Sequence, residues 1–142
     1  MASRGFTLVE LLTVILLIVI IVAIGGPSFS ATLNGSRVQK TAEYLVQLIN
    51  TARSEALRRN SNVYLEVTGN TFCLGTTTPC TGDIRTDSIA TSITVTPSLA
   101  SLRFDNVRGL PSSTGADYTI SGAGVTRTVS VNMLGLVKTS GG

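Results

Sequence analysis

Histidine and tryptophan are absent from this 142-residue chain, and aromatic side chains make up only 5% of it. Without histidine there is no His-dependent catalytic triad, and most transition-metal sites lose a common ligand. The acidic residues are scattered with no spacing that suggests a general acid and base, and no phosphate-binding loop or nucleophile elbow is present. The sequence therefore predicts that the protein is not an enzyme and needs no metal or cofactor.

Charge is missing from a long N-terminal stretch. No charged residue occurs between Leu11 and Ser36, while Arg4 precedes this run and Glu10 stands at its head. An acidic residue at the centre of a membrane helix costs roughly 2.5–3.5 kcal/mol even on lenient insertion scales. The rest of the chain is mildly basic, with a net charge of +3, which predicts a solvated surface rather than a nucleic-acid footprint. Glu10 is therefore the residue that needs an explanation.

The N-terminal segment allows three interpretations. A secretory signal peptide is the first, although its apolar core is ordinarily shorter than this run. A simple single-pass anchor is the second, because about 20 apolar residues span a bilayer. It leaves Glu10 unexplained unless the carboxylate extends to the membrane interface.

The third interpretation follows from positions 4–12, RGFTLVELL, which closely resemble the processing site of type IV prepilins and type II secretion pseudopilins. The resemblance implies that a prepilin peptidase removes a leader, residues 1–5, by cutting after Gly5, and that the new N-terminus at Phe6 is methylated. It also implies that Glu10 pairs with the N-terminal amine of a neighbouring subunit. Breaking a buried pair of this kind costs roughly 3–5 kcal/mol.

The same resemblance makes residues 6–29 a transmembrane and assembly helix. We expect it to hold the chain in the bacterial inner membrane as a single-pass protein with a periplasmic globular domain, before transfer into a filament. The implied partners are the prepilin peptidase, an inner-membrane assembly platform, and other pilins or pseudopilins that contact the helix.

Residues 30–60 have the pattern of an amphipathic helix. Their apolar residues recur at three- and four-residue steps and form a single stripe. Gly25-Gly26-Pro27 and Asn34-Gly35-Ser36 are weak points where a helix is expected to bend or loosen. The predicted stripe consists of Val38, Ala42, Leu45, Ile49, Ala52 and Ala56.

After Asn60 the period of the apolar residues changes from 3.6 to 2, which predicts strands. Gly69-Asn70 predicts a two-residue hairpin turn. We expect about five to seven short antiparallel strands over residues 61–142, with the amphipathic helix laid across one sheet. The predicted fold class is α+β, with a long N-terminal helix packed on a small pilin-like β domain.

The two cysteines, Cys73 and Cys80, flank the segment LGTTTP. An exported domain lies in an oxidising compartment, where such a pair favours a disulfide over two free thiols. We therefore predict that Cys73 and Cys80 close a small loop.

Positions 51–67, TARSEALRRNSNVYLEV, resemble the helix end and first strand of the pseudopilin H/FimT family, and the later stretches LRFDNVRG and VSVNMLGLVKTS resemble its later strands. The resemblance implies a low-abundance filament subunit, a minor pilin or pseudopilin that assembles or primes a type IV pilus or a type II secretion pseudopilus. Two alternatives stay open: a FimT-like DNA-binding minor pilin, and an anchored periplasmic protein with no filament role.

DNA-binding members of this family carry a Gly-Arg-x-Arg-like motif near the C-terminus. The corresponding stretch here is Gly135-Leu136-Val137-Lys138, with leucine where the first arginine would stand. The candidate DNA contacts are Arg108, Arg127 and Lys138. Because the motif is incomplete, we expect weak binding at most. Arg127 is also unusual because it falls in register with apolar neighbours, which fits a sheet edge, an ion pair or a slip in the alternation.

Leader removal is the first testable prediction. In a host with an active prepilin peptidase, mass spectrometry of the mature protein should show loss of residues 1–5 and one methyl group on Phe6. An intact N-terminus in that host would contradict the resemblance at its most specific point.

Overall fold

The structure, a computed structural model, describes residues 7–112 and 115–141, without the side chains of residues 24–31. It contains one long helix, α1, from Leu8 to Arg59. The described chain divides between Leu33 and Asn34 into two compact units, a first unit before this point and a second, globular unit after it, and α1 contributes to both.

Local side chains and backbone define both ends of α1. At its start the N–H of Glu10 donates to Thr7 Oγ1 at 3.2 Å, so Thr7 caps the first turn. At its end Asn60 adopts a left-handed conformation with φ of 50°. The N–H groups of Asn60 and Ser61 then bond back to the carbonyls of Leu57 and Ala56, which is a Schellman motif.

The second unit is built on the apolar stripe of α1. All six residues predicted for this stripe are buried, together with Leu48, which the sequence pattern did not single out. Three of the six are alanines, and such small side chains let a helix approach a sheet closely. The prediction of an amphipathic helix with this core-facing surface is confirmed.

Within the described residues, eight strands follow α1. The prediction of about five to seven strands missed two of them, β3 and β8, because both are short and exposed and lack an alternating apolar pattern. The strands are β1 (Val63–Thr68), β2 (Thr71–Gly75), β3 (Arg85–Ser88), β4 (Thr94–Pro97), β5 (Ser101–Phe104), β6 (Gly115–Gly122), β7 (Val125–Asn132) and β8 (Val137–Gly141).

These strands form two antiparallel four-stranded sheets. Their orders are β3-β2-β1-β5 and β4-β6-β7-β8. Buried residues from α1 and from both sheets belong to a single hydrophobic core. The helix therefore packs against two sheets, where we had expected one.

Tyr44 links α1 to the edge of the first sheet. Its hydroxyl donates a hydrogen bond to Asp87 on β3, and its ring lies 6.0 Å from that of Phe72 on β2. Arg85 pairs with the same Asp87 carboxylate at 2.6 Å and lies over the Tyr44 ring. The hydrogen bond from Tyr44, with the help of Arg85, holds the pKa of Asp87 below its usual value. This cluster explains how a polar strand such as β3 is kept on the sheet.

Substitution by alanine should affect the free energy of unfolding very differently at two leucines of α1. Leu45 is fully buried, whereas Leu57 is 46% exposed. Leu45→Ala should lower the free energy of unfolding by about 2–5 kcal/mol, because it removes buried methyl groups and leaves a cavity. Leu57→Ala is the matched control, with an expected loss of no more than about 1 kcal/mol, because nearly half of this side chain is already exposed. Denaturant unfolding of the full chain in mild detergent measures both, and equal effects would contradict the packing.

Candidate functional site

Glu10 lies in the first turn of α1, three residues after the capping Thr7. Thr-x-x-Glu is the pattern of a capping box, in which an acidic side chain at this position suits the helix N-terminus. Within residues 7–112 and 115–141 the Glu10 carboxylate has no ion-pair partner. The Glu10 carboxylate can therefore cap the helix, and it can also form an ion pair with a positive group on another molecule. Sequence reasoning missed the role of Thr7, although the Thr-x-x-Glu spacing could have shown it.

The helix beyond Glu10 presents apolar side chains on all sides. From Leu8 to Val22 its large aliphatic residues are 44–78% exposed. Leu12, Ile15, Leu16 and Val19 form one such exposed face, at helical three- and four-residue steps. An exposed aliphatic surface of this size is typical of an interaction site.

Among the residues that the structure describes, no helix is both long enough and apolar enough to cross a membrane.

Gly5 and Phe6, where we predicted cleavage and methylation, lie outside the described residues. The predicted span 6–29 likewise includes residue 6 and the side chains of residues 24–29, which are not described. Leader cleavage, methylation and the span therefore stay predictions.

The predicted disulfide between Cys73 and Cys80 is present. Two carboxylates fix the loop that it closes. Glu66 accepts hydrogen bonds from the Cys80 N–H and the Thr78 hydroxyl, at 2.9 and 2.8 Å. Asp83 accepts from the N–H of Thr76, which lowers the pKa of Asp83. Both acids are therefore used to hold the loop.

The three candidate DNA contacts do not form one patch. Lys138 pairs with Ser130 across β7 and β8, while Arg127 aligns with the buried Val129 and Val131. Successive side chains of a strand point to opposite faces, so Lys138 and Arg127 lie on opposite faces of the same sheet. Arg108 is in the turn after β5, on neither of these strands.

None of the three explanations for Arg127 is met among the described residues. β7 is an interior strand, and its pairing with β6 and β8 runs without a slip. Within the described residues Arg127 has no ion pair. Its guanidinium instead extends over Gly141, the residue paired with it on β8, where a side chain would collide with it.

An open cleft of about 600 Å³ lies on the outer face of the second sheet. Asp117, Ser130 and Lys138 stand side by side across β6, β7 and β8 and line it, together with Leu136. One acid and one base give it no net charge. The cleft is a recess in a surface rather than an enclosed site.

Two tight turns at one end of this unit were not singled out as functional. In the turn after β5, Asp105 accepts hydrogen bonds from the N–H groups of Val107, Arg108 and Leu110, at 2.9, 2.6 and 3.0 Å. In the β7–β8 turn, the side-chain oxygen of Asn132 accepts from the N–H groups of Leu134 and Leu136, both at 2.9 Å. The signal available in the sequence was an Asx residue followed, a few positions later, by glycine.

These turns hold aliphatic side chains out to solvent. Val107 is 77% exposed, and Met133, Leu134 and Leu136 are each more than half exposed. Both turns lie against Arg53 of α1, which approaches Gly109 in one and Gly135 in the other. The geometry therefore presents an ordered apolar surface with arginine beside it.

Comparison with known families agrees with this architecture. Residues 41–135 match the sequence profile of the family described as type II transport protein GspH. The chain belongs to the GspH family. The match begins within the amphipathic part of α1 and ends at Gly135, in the β7–β8 turn. The predicted resemblance to pseudopilin H is therefore confirmed.

Solved structures show the same fold. The type IV minor pilin FimU of Pseudomonas aeruginosa strain PAO1, in space group P21, has a TM-score of 0.64 and 19% identity, covering 74% of this chain and 89% of FimU. A second FimU crystal form, P65, has a TM-score of 0.61 and 19% identity, covering 72% and 91%. At this identity the likeness establishes the fold alone, and it confirms the predicted pilin-like α+β fold. No curated protein matches the sequence.

The turn after β5 gives this GspH-family chain a pH-dependent element. The N–H of Arg108, with those of Val107 and Leu110, holds the pKa of Asp105 below its ordinary value of 3.8. A depressed carboxyl pKa contributes stability above the unfolded-state pKa, and this contribution is lost as the pH falls through the folded-state pKa.

Asp105→Ala should therefore lower the free energy of unfolding by about 1–3 kcal/mol at pH 7, because three N–H donors lose a charged acceptor. The difference from the unchanged chain should narrow below about pH 4. Asp117→Ala, which removes an exposed carboxylate, is the control and should stay within about 0.5 kcal/mol. Unfolding curves at several pH values measure this, and a deficit independent of pH would contradict the role of the Asp105 charge.

Proposed function

We propose that this GspH-family chain is a minor filament subunit, a minor pilin or pseudopilin that assembles or primes a type IV pilus or a type II secretion pseudopilus. Its role is structural rather than catalytic. The observation that carries the proposal is the placement of Glu10, a carboxylate without an ion-pair partner in the described residues, at the head of a helix covered with exposed aliphatic side chains.

The proposed assembly has a simple physical basis. Removal of the leader after Gly5 creates a positive amine at Phe6, a few residues before Glu10. Inside a bundle of apolar helices an unpaired carboxylate is costly, and so is an unpaired ammonium group. Pairing Glu10 of one subunit with the amine of its neighbour relieves both costs and fixes the register of the two helices.

The proposal also includes the location of the chain. Residues 6–29 anchor it in the bacterial inner membrane, with the globular unit in the periplasm, and assembly then draws it into the filament. The Cys73–Cys80 disulfide supports this compartment, because disulfides persist in oxidising environments such as the periplasm. The prepilin peptidase and the inner-membrane assembly platform are the partners that this route requires.

Substitution of Glu10 tests the proposal and separates charge pairing from capping. Glutamine satisfies a capping box but carries no charge. We therefore expect Glu10→Gln and Glu10→Ala to be processed normally, and both to enter filaments at about one tenth or less of the usual level, because the lost ion pair costs several kcal/mol.

Glu43→Ala, which removes an exposed carboxylate from the same helix in the globular unit, is the matched control and should assemble normally. Immunoblots of sheared filaments and of membranes measure incorporation. Normal incorporation of Glu10→Gln would contradict charge pairing and leave helix capping as the role of Glu10.

A further inference from the structure

The exposed aliphatic residues of the globular unit are confined to one place. Within the described part of residues 34–142, every large apolar side chain that is well exposed lies on one of three segments. These segments are the last turns of α1, the turn after β5 and the β7–β8 turn. The residues are Leu57, Val107, Met133, Leu134 and Leu136, and we call them the apolar patch.

Contacts around Arg53 bring the three segments together. Gly109 lies so close to α1 that a Cβ atom there would be 2.8 Å from Arg53 Cγ and 3.3 Å from Leu57 Cδ1. A Cβ atom on Gly135 would lie 3.6 Å from an Arg53 guanidinium nitrogen and from Pro111. The three segments that carry the apolar patch therefore lie side by side around Arg53.

The patch is also held in position before any partner arrives. The Asp105 and Asn132 hydrogen bonds described above fix both turns, so their aliphatic side chains need little further ordering on binding. Low ordering cost is a property of good binding surfaces. A clustered, exposed apolar surface of this kind on an otherwise polar domain marks an interaction site.

The charges beside the patch define the partner. Arg53 and Arg108 are exposed, and neither forms an ion pair within the described residues. Of the nearby carboxylates, Glu55 binds Arg58 and Arg59, and Asp105 binds the N–H groups of its own turn. Asp117, in the cleft that Leu136 lines, is offset by Lys138 in the same cleft. The rim is therefore basic and favours a partner with an acidic rim.

The basic rim and the aliphatic centre of the patch disfavour two other partners, a second copy of this chain and nucleic acid. A symmetric pair of this chain would place the same patch against itself and bring basic rim against basic rim. Nucleic acid would meet aliphatic side chains at the centre of the patch, whereas a duplex needs cations for its phosphates and a single strand needs aromatic rings for stacking.

We propose that the apolar patch docks the globular domain of a different filament subunit, one that presents an apolar surface rimmed by acidic residues. The proposal rests on the filament role proposed above and names the surface through which the globular unit contacts its neighbour. The helix contact at Glu10 and the apolar patch are then two separate interfaces.

Photo-crosslinking of the full chain in cells that make the filament tests this. A benzophenone amino acid replaces Leu134, or replaces Thr126 as a control at the opposite end of β7. We expect ultraviolet light to produce an adduct from position 134 and little from position 126. Mass spectrometry should identify its partner as a different chain with a processed, apolar N-terminal helix.

A charge reversal on the rim is the second part of the crosslinking experiment. Arg108→Glu should reduce the adduct at least about tenfold, because it replaces an attractive charge with one that the partner's acidic rim repels. Arg103→Glu makes the same charge change on an exposed residue of β5 and should leave the yield unchanged. Unfolding curves confirm that both variants are folded.

The outcomes are distinguishable. Three results would overturn the docking proposal alone. The adduct could contain a second copy of this chain, or it could contain a protein that lacks such a helix. The third result is that no adduct forms while the chain is present in filaments. The docking proposal would also fail if the full chain retained a fluorescent DNA duplex at physiological salt and released it on Arg108→Glu. Absence of the chain from filaments would overturn the proposed function, and the docking proposal with it.

Discussion

The packing of one helical stripe against two sheets is the interaction on which the globular unit depends. The stripe runs from Val38 to Ala56, and its side chains share one core with both sheets. At both ends of the stripe, other segments of the chain must approach α1 closely. A Cβ atom on Gly122 would lie 3.2 Å from Val38 Cγ2 and 2.7 Å from Ile93 Cδ1, and Gly109 combines a φ of +63° with contact to the Arg53 backbone. Glycine at these two positions lets the β6–β7 end and the turn after β5 reach the helix.

Because α1 contributes to both compact units, two different surfaces are placed on one chain. The first unit exposes aliphatic side chains along the helix, with a single carboxylate at its head. The second unit buries its aliphatic residues, and in its described part the well-exposed ones remain only around Arg53. We propose that filament assembly uses both surfaces, the first for helix packing and the second for contact between globular domains. Neither surface needs a reacting group.

The features predicted from the sequence are those whose signals are local. The apolar stripe, the Gly69-Asn70 hairpin and the pairing of Cys73 with Cys80 all depend on short spacings, and all are present. The strands β3 and β8 could not be predicted, because their place in a sheet depends on distant partners such as Tyr44 and β7 rather than on their own apolar pattern. The division into two sheets and the convergence of two turns on Arg53 are likewise tertiary. Within the candidate site, Glu10 stood out by its charge, whereas the apolar patch is scattered over 80 positions, from Leu57 to Leu136.

We propose above all that the chain is a component of a filament. Quantitative mass spectrometry of filaments, sheared from cells as pili or obtained from an overproduced pseudopilus, decides this. We expect peptides of the globular unit in the purified filaments, well below the amount of the major subunit. A chain that is abundant in the membrane fraction and absent from those filaments would contradict a filament role.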